Sequence, residues 1–276
     1  MKFVNGLALC CLLTSVTFSQ CDNVKLMTWK QYSHLSPKWP YVLRINSHKA
    51  NLLYYGAAHT YKPDDPQLAE IEKLWAEFRP DIAFNEGGDP PIEASRDEAI
   101  RKSGEPGLIR FLANRDHIPV TSVDQSRAEE VAFLLKRFSS EQVKLFFVLR
   151  LVAQQTRNHP EQPLEDELRR VLPIFAGTPG LNVPPGTSEE LAMIYARNFP
   201  NHGSYKEASL SWFDPTKSEN YLNEMARQLN LYRDQYMVNL IVRHVREGQR
   251  VFAVVGGSHL VMQEPAIRRL VRRSMR

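Results

Sequence analysis

The apolar residues of this chain repeat with two periods, and the residues that stop each run carry most of the information. Two short runs, "YVLRI" (41–45) and "LLYY" (52–55), flank the turn residues Asn46, Ser47, His48 and Asn51, which predicts a hairpin. In "PQLAEIEKLWAEFRP", Leu68, Ile71, Leu74, Trp75 and Phe78 recur at helical spacing, and Pro80 closes the segment. "DIAFNEGG" then reads as a strand stopped by Gly87 and Gly88, so that strand, helix and strand form a βαβ unit. "EPGLIRFLANRDHIP" predicts a further helix and "VTSVDQS" a further short strand.

From Ala128 to about Leu172 the pattern is helical, and the apolar residues of "VAFLLKRF" and "VKLFFVLRLVAQQ" nearly encircle the axis, as in buried helices. Residues 173–218 change character. They are dense in proline and glycine and predict a long, partly irregular insertion with one helix over 188–198, suited to a lid, a substrate wall or a stiff crossover. A long helix follows, with Ser218 as the expected N-cap and Gly248 as its stop. "RVFAVVGGSHL" is a continuous apolar strand, and a last helix is expected to start around Pro265.

Composition narrows the class. A hydrophobic content of 43% with 24% charged residues is that of a globular chain long enough to bury its own core. The net charge of +4 is spread evenly except for Arg268, Arg269, Arg272, Arg273 and Arg276 at the end, expected to be a solvated helix face. With no aromatic interleaving and no glycine-rich phosphate loop, nucleic acid is not an expected partner. The opening "MKFVNGLALCCLLTSVTFSQ" reads as a secretory signal over residues 1–19: basic Lys2, an apolar run too short to span a bilayer, and small Thr17 and Ser19 before the cleavage point. Residues 20–276 are then expected to form one exported domain, periplasmic or secreted, with no membrane segment. Cys10 and Cys11 leave with the signal, so Cys21 remains alone and no internal disulfide is expected. Cys21 is a formal lipid-anchor candidate, against which the preceding Phe18-Ser19-Gln20 argues. The chain has no Asn-x-Ser/Thr sequon, which suits a bacterial envelope.

Two strand ends echo each other. "LLYYGAAHTY" and "VFAVVGGSHL" both run from an apolar strand into Gly-x-x-His, pairing Gly56 and His59 with Gly256 and His259. With 13 Gly and 8 His in the chain, about 0.4 such pairs are expected by chance. Glycine at a carboxyl strand end allows a sharp turn or a close approach, and the residues beyond line the crevice where α/β sheets bind ligands. Glu86 follows a third strand and Asp124 a fourth, both placed to face the same crevice. Two histidines and a carboxylate are a common divalent-metal set with open positions for water. Without metal, the same trio has one histidine as general base and the glutamate to orient it. Among the other histidines, those at 48, 117, 159, 202 and 244 lack such neighbours, and Ser258 lacks the second glycine of a nucleophile elbow.

The ordered set "GAAH", "FNEGG", "LYRDQYM" and "VVGGSHL" resembles the TraB/PrgY/GumN/TIKI superfamily, which includes erythromycin-esterase-like and ChaN-like haem-binding proteins, over roughly residues 41–262. The matching positions are Gly56 and His59, Glu86, Arg233 with Asp234 and Met237, then Gly256 and His259. The resemblance implies an α/β fold: a central mixed, largely parallel sheet flanked by helices, in two related halves with the site between them. It also implies metal-dependent hydrolysis of an ester or amide bond in a small-molecule or peptide substrate. His59, His259 and Glu86 would hold a divalent metal ion (manganese, cobalt or zinc), and Arg233 would stabilise an anionic substrate or intermediate. The alternative within the same resemblance is a haem- or ligand-binding envelope protein without turnover. The chain departs from the family after its second motif, where "VMQEPAIRRLVRRSMR" replaces the usual glycines and further strand, and it has no membrane tail of the TraB or TIKI kind.

Overall fold

The computed structural model describes residues 24–158 and 161–274; the signal expected over 1–19, Cys21 and Arg276 lie outside them. The expected hairpin forms: β1 (Tyr41–Ser47) and β2 (Ala50–Ala57) are antiparallel, with Ser47 opposite Ala50 across a two-residue turn. Beyond β2 the order is β5 (Arg250–Gly256), β3 (Ile82–Asn85) and β4 (Val120–Ser122), all parallel to β2. The sheet is therefore mixed and mostly parallel, with β1 as its antiparallel edge. The last strand of the chain enters its centre, so the two motif-bearing strands are neighbours.

Helices cover both faces, which is why β2 and β5 read as unbroken apolar runs. On one face α8 (Tyr221–Arg246) and α9 (Gly257–Ser274) set Met237, Ile241, Val245, Leu260 and Ile267 against Leu52, Tyr54, Val251 and Ala253. On the other, α2 (Pro66–Phe78) and α3 (Arg96–Asp116) set Leu68, Ile71, Trp75, Leu108 and Leu112 against Leu53, Tyr55, Phe252 and Val254. Successive strand residues face opposite layers, as the pleat requires.

A third core is helical. It is built from α4 (Arg127–Leu134), α5 (Ser140–Asn158), α6 (Leu164–Ala176), α7 (Ser188–Asn198) and the first turns of α8. Residues 173–218, expected as a partly irregular insertion with one helix over 188–198, contribute Leu181, Leu191, Ile194, Tyr195, Phe199 and Phe213 to this core. Their proline-rich backbone is irregular, but their apolar side chains are buried. They form the wall of a helical layer.

Three boundaries differ from expectation, each for a local reason. Asn220, not Ser218, caps α8: its side chain accepts from the Leu222 and Asn223 amides while Asn223 reciprocates. The Ser218 hydroxyl instead receives Arg227. The last helix begins at Gly257, directly from β5, and Pro265 lies inside it on an exposed position. Helix α3 starts earlier than expected, at a Ser95 cap followed by Asp97 and Glu98, and is broken at Gly104. A short helix, α1 (Trp29–Tyr32), precedes the sheet. Among the described residues no helix is long and apolar enough to cross a membrane.

Phe252 is the keystone of the α2–α3 face: it is fully buried on the central strand, with the Trp75 ring 5.3 Å away and Phe78 at 6.1 Å. Phe252→Ala is expected to cost about 3–5 kcal/mol in urea unfolding, from lost transfer energy and the cavity left behind. Met193→Ala, at an exposed position of α7, is expected to stay within about 0.5 kcal/mol.

Candidate active site at the carboxyl edge of the sheet

Parallel pairing puts four carboxyl strand ends on one edge. Ala57 pairs with Gly256, Asn85 with Val254, and Ser122 with Asn85. The residues just beyond are His59, Glu86, Asp124 and the Gly257–His259 turn, and this edge is where open α/β sheets bind ligands. Sequence elements separated by two hundred residues thus meet because β5 is inserted between β2 and β3.

Glu86 is the centre. Its Oε1 accepts from Arg233 Nη2 at 2.9 Å and its Oε2 from the Gly256 amide at 2.7 Å. His259 Nε2 lies 3.3 Å from the same Oε1. The other nitrogen of that ring, Nδ1, is 2.6 Å from Asp234 Oδ1, which also accepts from Gln263 at 2.7 Å. Tyr54 donates to Gln263 in turn, at 2.7 Å. Asp234 on α8 and His259 and Gln263 on α9 meet because the two helices pack side by side.

Arg233 reaches the site as the motif predicts, but its guanidinium is committed to protein carboxylates. Nη2 also donates to Asp124 Oδ1 at 2.6 Å, and Nε lies 3.5 Å from Glu130 Oε1. Asp124 spends its second oxygen on the amides of Gly87 and Gly88, at 2.6 and 3.1 Å, fixing the turn that follows Glu86.

His59 enters from the opposite side with a different partner. Its Nδ1 is 3.2 Å from Glu105 Oε2, and Glu105 Oε1 accepts from the Thr60 amide at 2.7 Å. Glu105 is 2% exposed, whereas the His59 side chain is 59% exposed and that of His259 only 10%. The two motif histidines are therefore alike in sequence and unlike in setting. Glu105 is held there by a break in α3: Gly104 has φ 61°, and a Cβ at that position would come within 2.8 Å of the Thr60 carbonyl. Sequence reasoning missed Glu105 as a site residue. The available signal was a glutamate between Gly104 and Pro106, two residues poorly suited to a helix interior.

The motif glycines make room for side chains. A Cβ on Gly256 would lie 2.8 Å from His59 Nε2 and 3.3 Å from Glu86 Oε2. Gly56 packs against Gly257 and Leu260. Neither has a positive φ.

Charge dominates the energetics of this edge. Burial works against charge on Glu86, but His259, Arg233 and His59 outweigh it and hold the carboxyl well below its usual range. Burial likewise disfavours the His259 cation, yet Glu86 and Asp234 push it up to about 10. His59 is raised chiefly by its hydrogen bond to Glu105. Burial raises Glu130, against the pull of Arg233.

The donor types match a metal site in one respect: each histidine has Nδ1 engaged by a carboxylate, leaving Nε2 directed toward the centre. In the arrangement described, no three His, Cys, Asp or Glu among the described residues stand at metal-holding separations. Glu86 and His259 face each other directly instead. Two clefts of about 690 and 650 Å³ run along the N-terminal segment, one beside Pro215 and Arg227 and the other beside Val261 and Arg268; neither is lined by these groups. Comparison with known proteins finds no family model, no curated protein and no solved structure that matches the chain.

The His259 contacts have a pH signature in metal-free protein. A folded-state value of about 10 against an unfolded value of about 6.5 means that its contribution to stability is complete below about pH 6.5 and lost as pH rises through about 10. Thermal unfolding in chelator is expected to show Tm falling between pH 7 and 10, as the lost share of the His259 contribution grows from about a fifth to about nine tenths. In His259→Gln this alkaline decline should be shallower; an identical slope would remove His259 as its cause.

Proposed function

We propose that the chain is a hydrolase of the superfamily its motifs resemble, cleaving an ester or amide bond with water at the carboxyl edge of the sheet. His59, His259 and Glu86 would hold a divalent ion, manganese, cobalt or zinc. The observation that carries this reading is the matched support of the two imidazoles: Glu105 behind His59 and Asp234 behind His259. Carboxylate-backed histidines with Nε2 directed inward are the usual outer shell of a histidine metal site. One dication in place of two imidazolium protons would also leave the total charge of this carboxylate-rich cluster unchanged.

Such an ion would supply Lewis acidity and a lowered water pKa. The chain's own residues do the rest. Arg233 keeps Glu86 ionised and, through Asp124, fixes the Gly87–Gly88 turn; it acts as a positioning group more than as a binder of substrate anions. The Tyr54–Gln263–Asp234 chain fixes the orientation of His259. His59, the exposed member, is the one that meets substrate. The reading includes export ahead of the described residues, with residues 1–19 removed.

A second reading is supported by the His59–Glu105 pair itself, an exposed imidazole with a buried carboxylate behind it. In a metal-free esterase, His59 Nε2 would take a proton from water as its oxygen adds to the carbonyl carbon. The same nitrogen would return the proton to the leaving group as the bond breaks.

Elemental analysis of purified wild type, His59→Ala and His259→Ala, alongside p-nitrophenyl acetate hydrolysis, separates the readings. About one ion per chain in wild type, lost in both variants together with activity, is the expected result. Glu105→Gln should weaken metal affinity about 10–100-fold. Hydrolysis that depends on His59 but survives metal removal would replace the first reading with the second. Metal content and hydrolysis unaffected by either substitution would refute the site. A Soret band on adding haem, lost in both variants, would favour the binding alternative.

A further inference from the structure

Among the described residues the exposed large apolar side chains are Leu35, Trp39, Tyr61, Ile92, Ile174 and Met193. Ile174 and Met193 belong to the helical layer. The other four lie on segments adjoining the carboxyl strand ends. Tyr61 follows β2 and Ile92 follows β3. Leu35 and Trp39 precede β1, whose first residue, Tyr41, pairs with Gly56 because β1 runs antiparallel. Of the four, Trp39 and Tyr61 stand against residues of the edge that carries His59 and Glu86, and exposed apolar rings beside such an edge mark a binding surface.

Two of the four sit directly against the site's framework. A Cβ on Gly257 would come within 2.1–2.7 Å of the Trp39 indole, so that ring lies on the Gly257 backbone. Gly256, the preceding residue, has His59 Nε2 and Glu86 Oε2 over it. Trp39 and the site's inward-facing atoms therefore occupy successive residues of one turn, whose Cα atoms are about 3.8 Å apart. Tyr61 lies over the other support: its Cε1 is 3.7 Å from a Cβ built on Gly104, next to the Glu105 that holds His59 Nδ1. Trp39 thus lies one backbone residue from the atoms that face Gly256, and Tyr61 one residue from Glu105. They remain 36% and 41% exposed respectively. Arg233 offers little to a charged substrate group, because it is already committed to Glu86 and Asp124.

We infer that Trp39 and Tyr61 form a subsite flanking His59 that binds an uncharged aromatic or similarly flat apolar group next to the scissile carbonyl. The inference rests on the hydrolase reading and adds the substrate class. Gly257 belongs to the subsite's construction, since no larger residue leaves the indole its seat.

The test compares p-nitrophenyl phenylacetate with p-nitrophenyl acetate in wild type, Trp39→Ala, Tyr61→Ala and Trp39→Phe. Binding of phenylacetamide, which leaves no ester to cleave, is measured in parallel by calorimetry. The phenylacetate-to-acetate ratio of kcat/KM is expected to fall about tenfold in each alanine variant, mainly through KM, and to recover largely in Trp39→Phe. Phenylacetamide affinity should fall by a similar factor. If wild type hydrolyses neither ester but binds phenylacetamide in a Trp39-dependent way, the hydrolase reading fails and the subsite stands. If selectivity and phenylacetamide affinity are the same in wild type and folded variants, the subsite is overturned even where hydrolysis persists.

Discussion

Everything at the carboxyl edge depends on neutralising carboxylates that the fold has taken out of water. Glu86, Glu105, Asp124, Glu130 and Asp234 lie close together there, and a buried carboxylate without a partner costs several kcal/mol. Arg233 meets the largest share, reaching Glu86, Asp124 and Glu130 with one guanidinium. Its place on α8 explains why. Leu222 to Leu229 belong to the helical core and Met237 to Val245 to the sheet core, so Arg233 and Asp234 sit where the two meet. The same short segment that joins the layers also orients Glu86 and His259. Stability and site geometry are coupled through these ion pairs.

This coupling makes the two histidines complementary. His259 is enclosed between Glu86 and Asp234, so its orientation is fixed and its proton strongly held. His59 is open to solvent and held from one side by Glu105. A site needs both kinds of group: one that does not move, and one that a ligand can reach. The arrangement follows from topology, because β2 ends in a loop whereas β5 continues at once into α9, which buries whatever its first turn carries.

Much of this was legible in the sequence wherever the signal was local. Apolar runs that stop at glycine marked β2, β3 and β5, and parallel strands necessarily share an edge, so His59, Glu86, Asp124 and His259 could be placed together. The Arg-Asp pair at 233–234 was flagged only by resemblance, since nothing on the helix itself says that its partners lie on another strand's turn. Glu105 was not legible: its partner His59 is 46 residues away, and the break that aims it was read as an ordinary helix start. Residues 173–218 were legible in their irregular backbone and their helix at 188–198, but not in what they bury. Proline and glycine report an irregular backbone, but irregular backbone can still bury its side chains, and only tertiary packing shows that Leu181, Tyr195 and Phe213 share one core.

The Gly-x-x-His motif takes on a different physical meaning in this light. Its glycines were expected to allow a sharp turn or a close approach, and neither Gly56 nor Gly256 has a backbone conformation closed to other residues. What they supply is space. Gly56 admits Gly257 and Leu260, Gly256 admits His59 and Glu86, and Gly257, the second residue of the later motif, admits Trp39. At 256–257, successive glycines thus bring the His59 and Glu86 side chains and the Trp39 indole onto one turn of backbone. A side chain at 256 would push His59 from Glu86, and one at 257 would displace the indole while leaving the charges in place. The glycine pair therefore keeps the charged cluster and the exposed indole sterically independent, one residue for each.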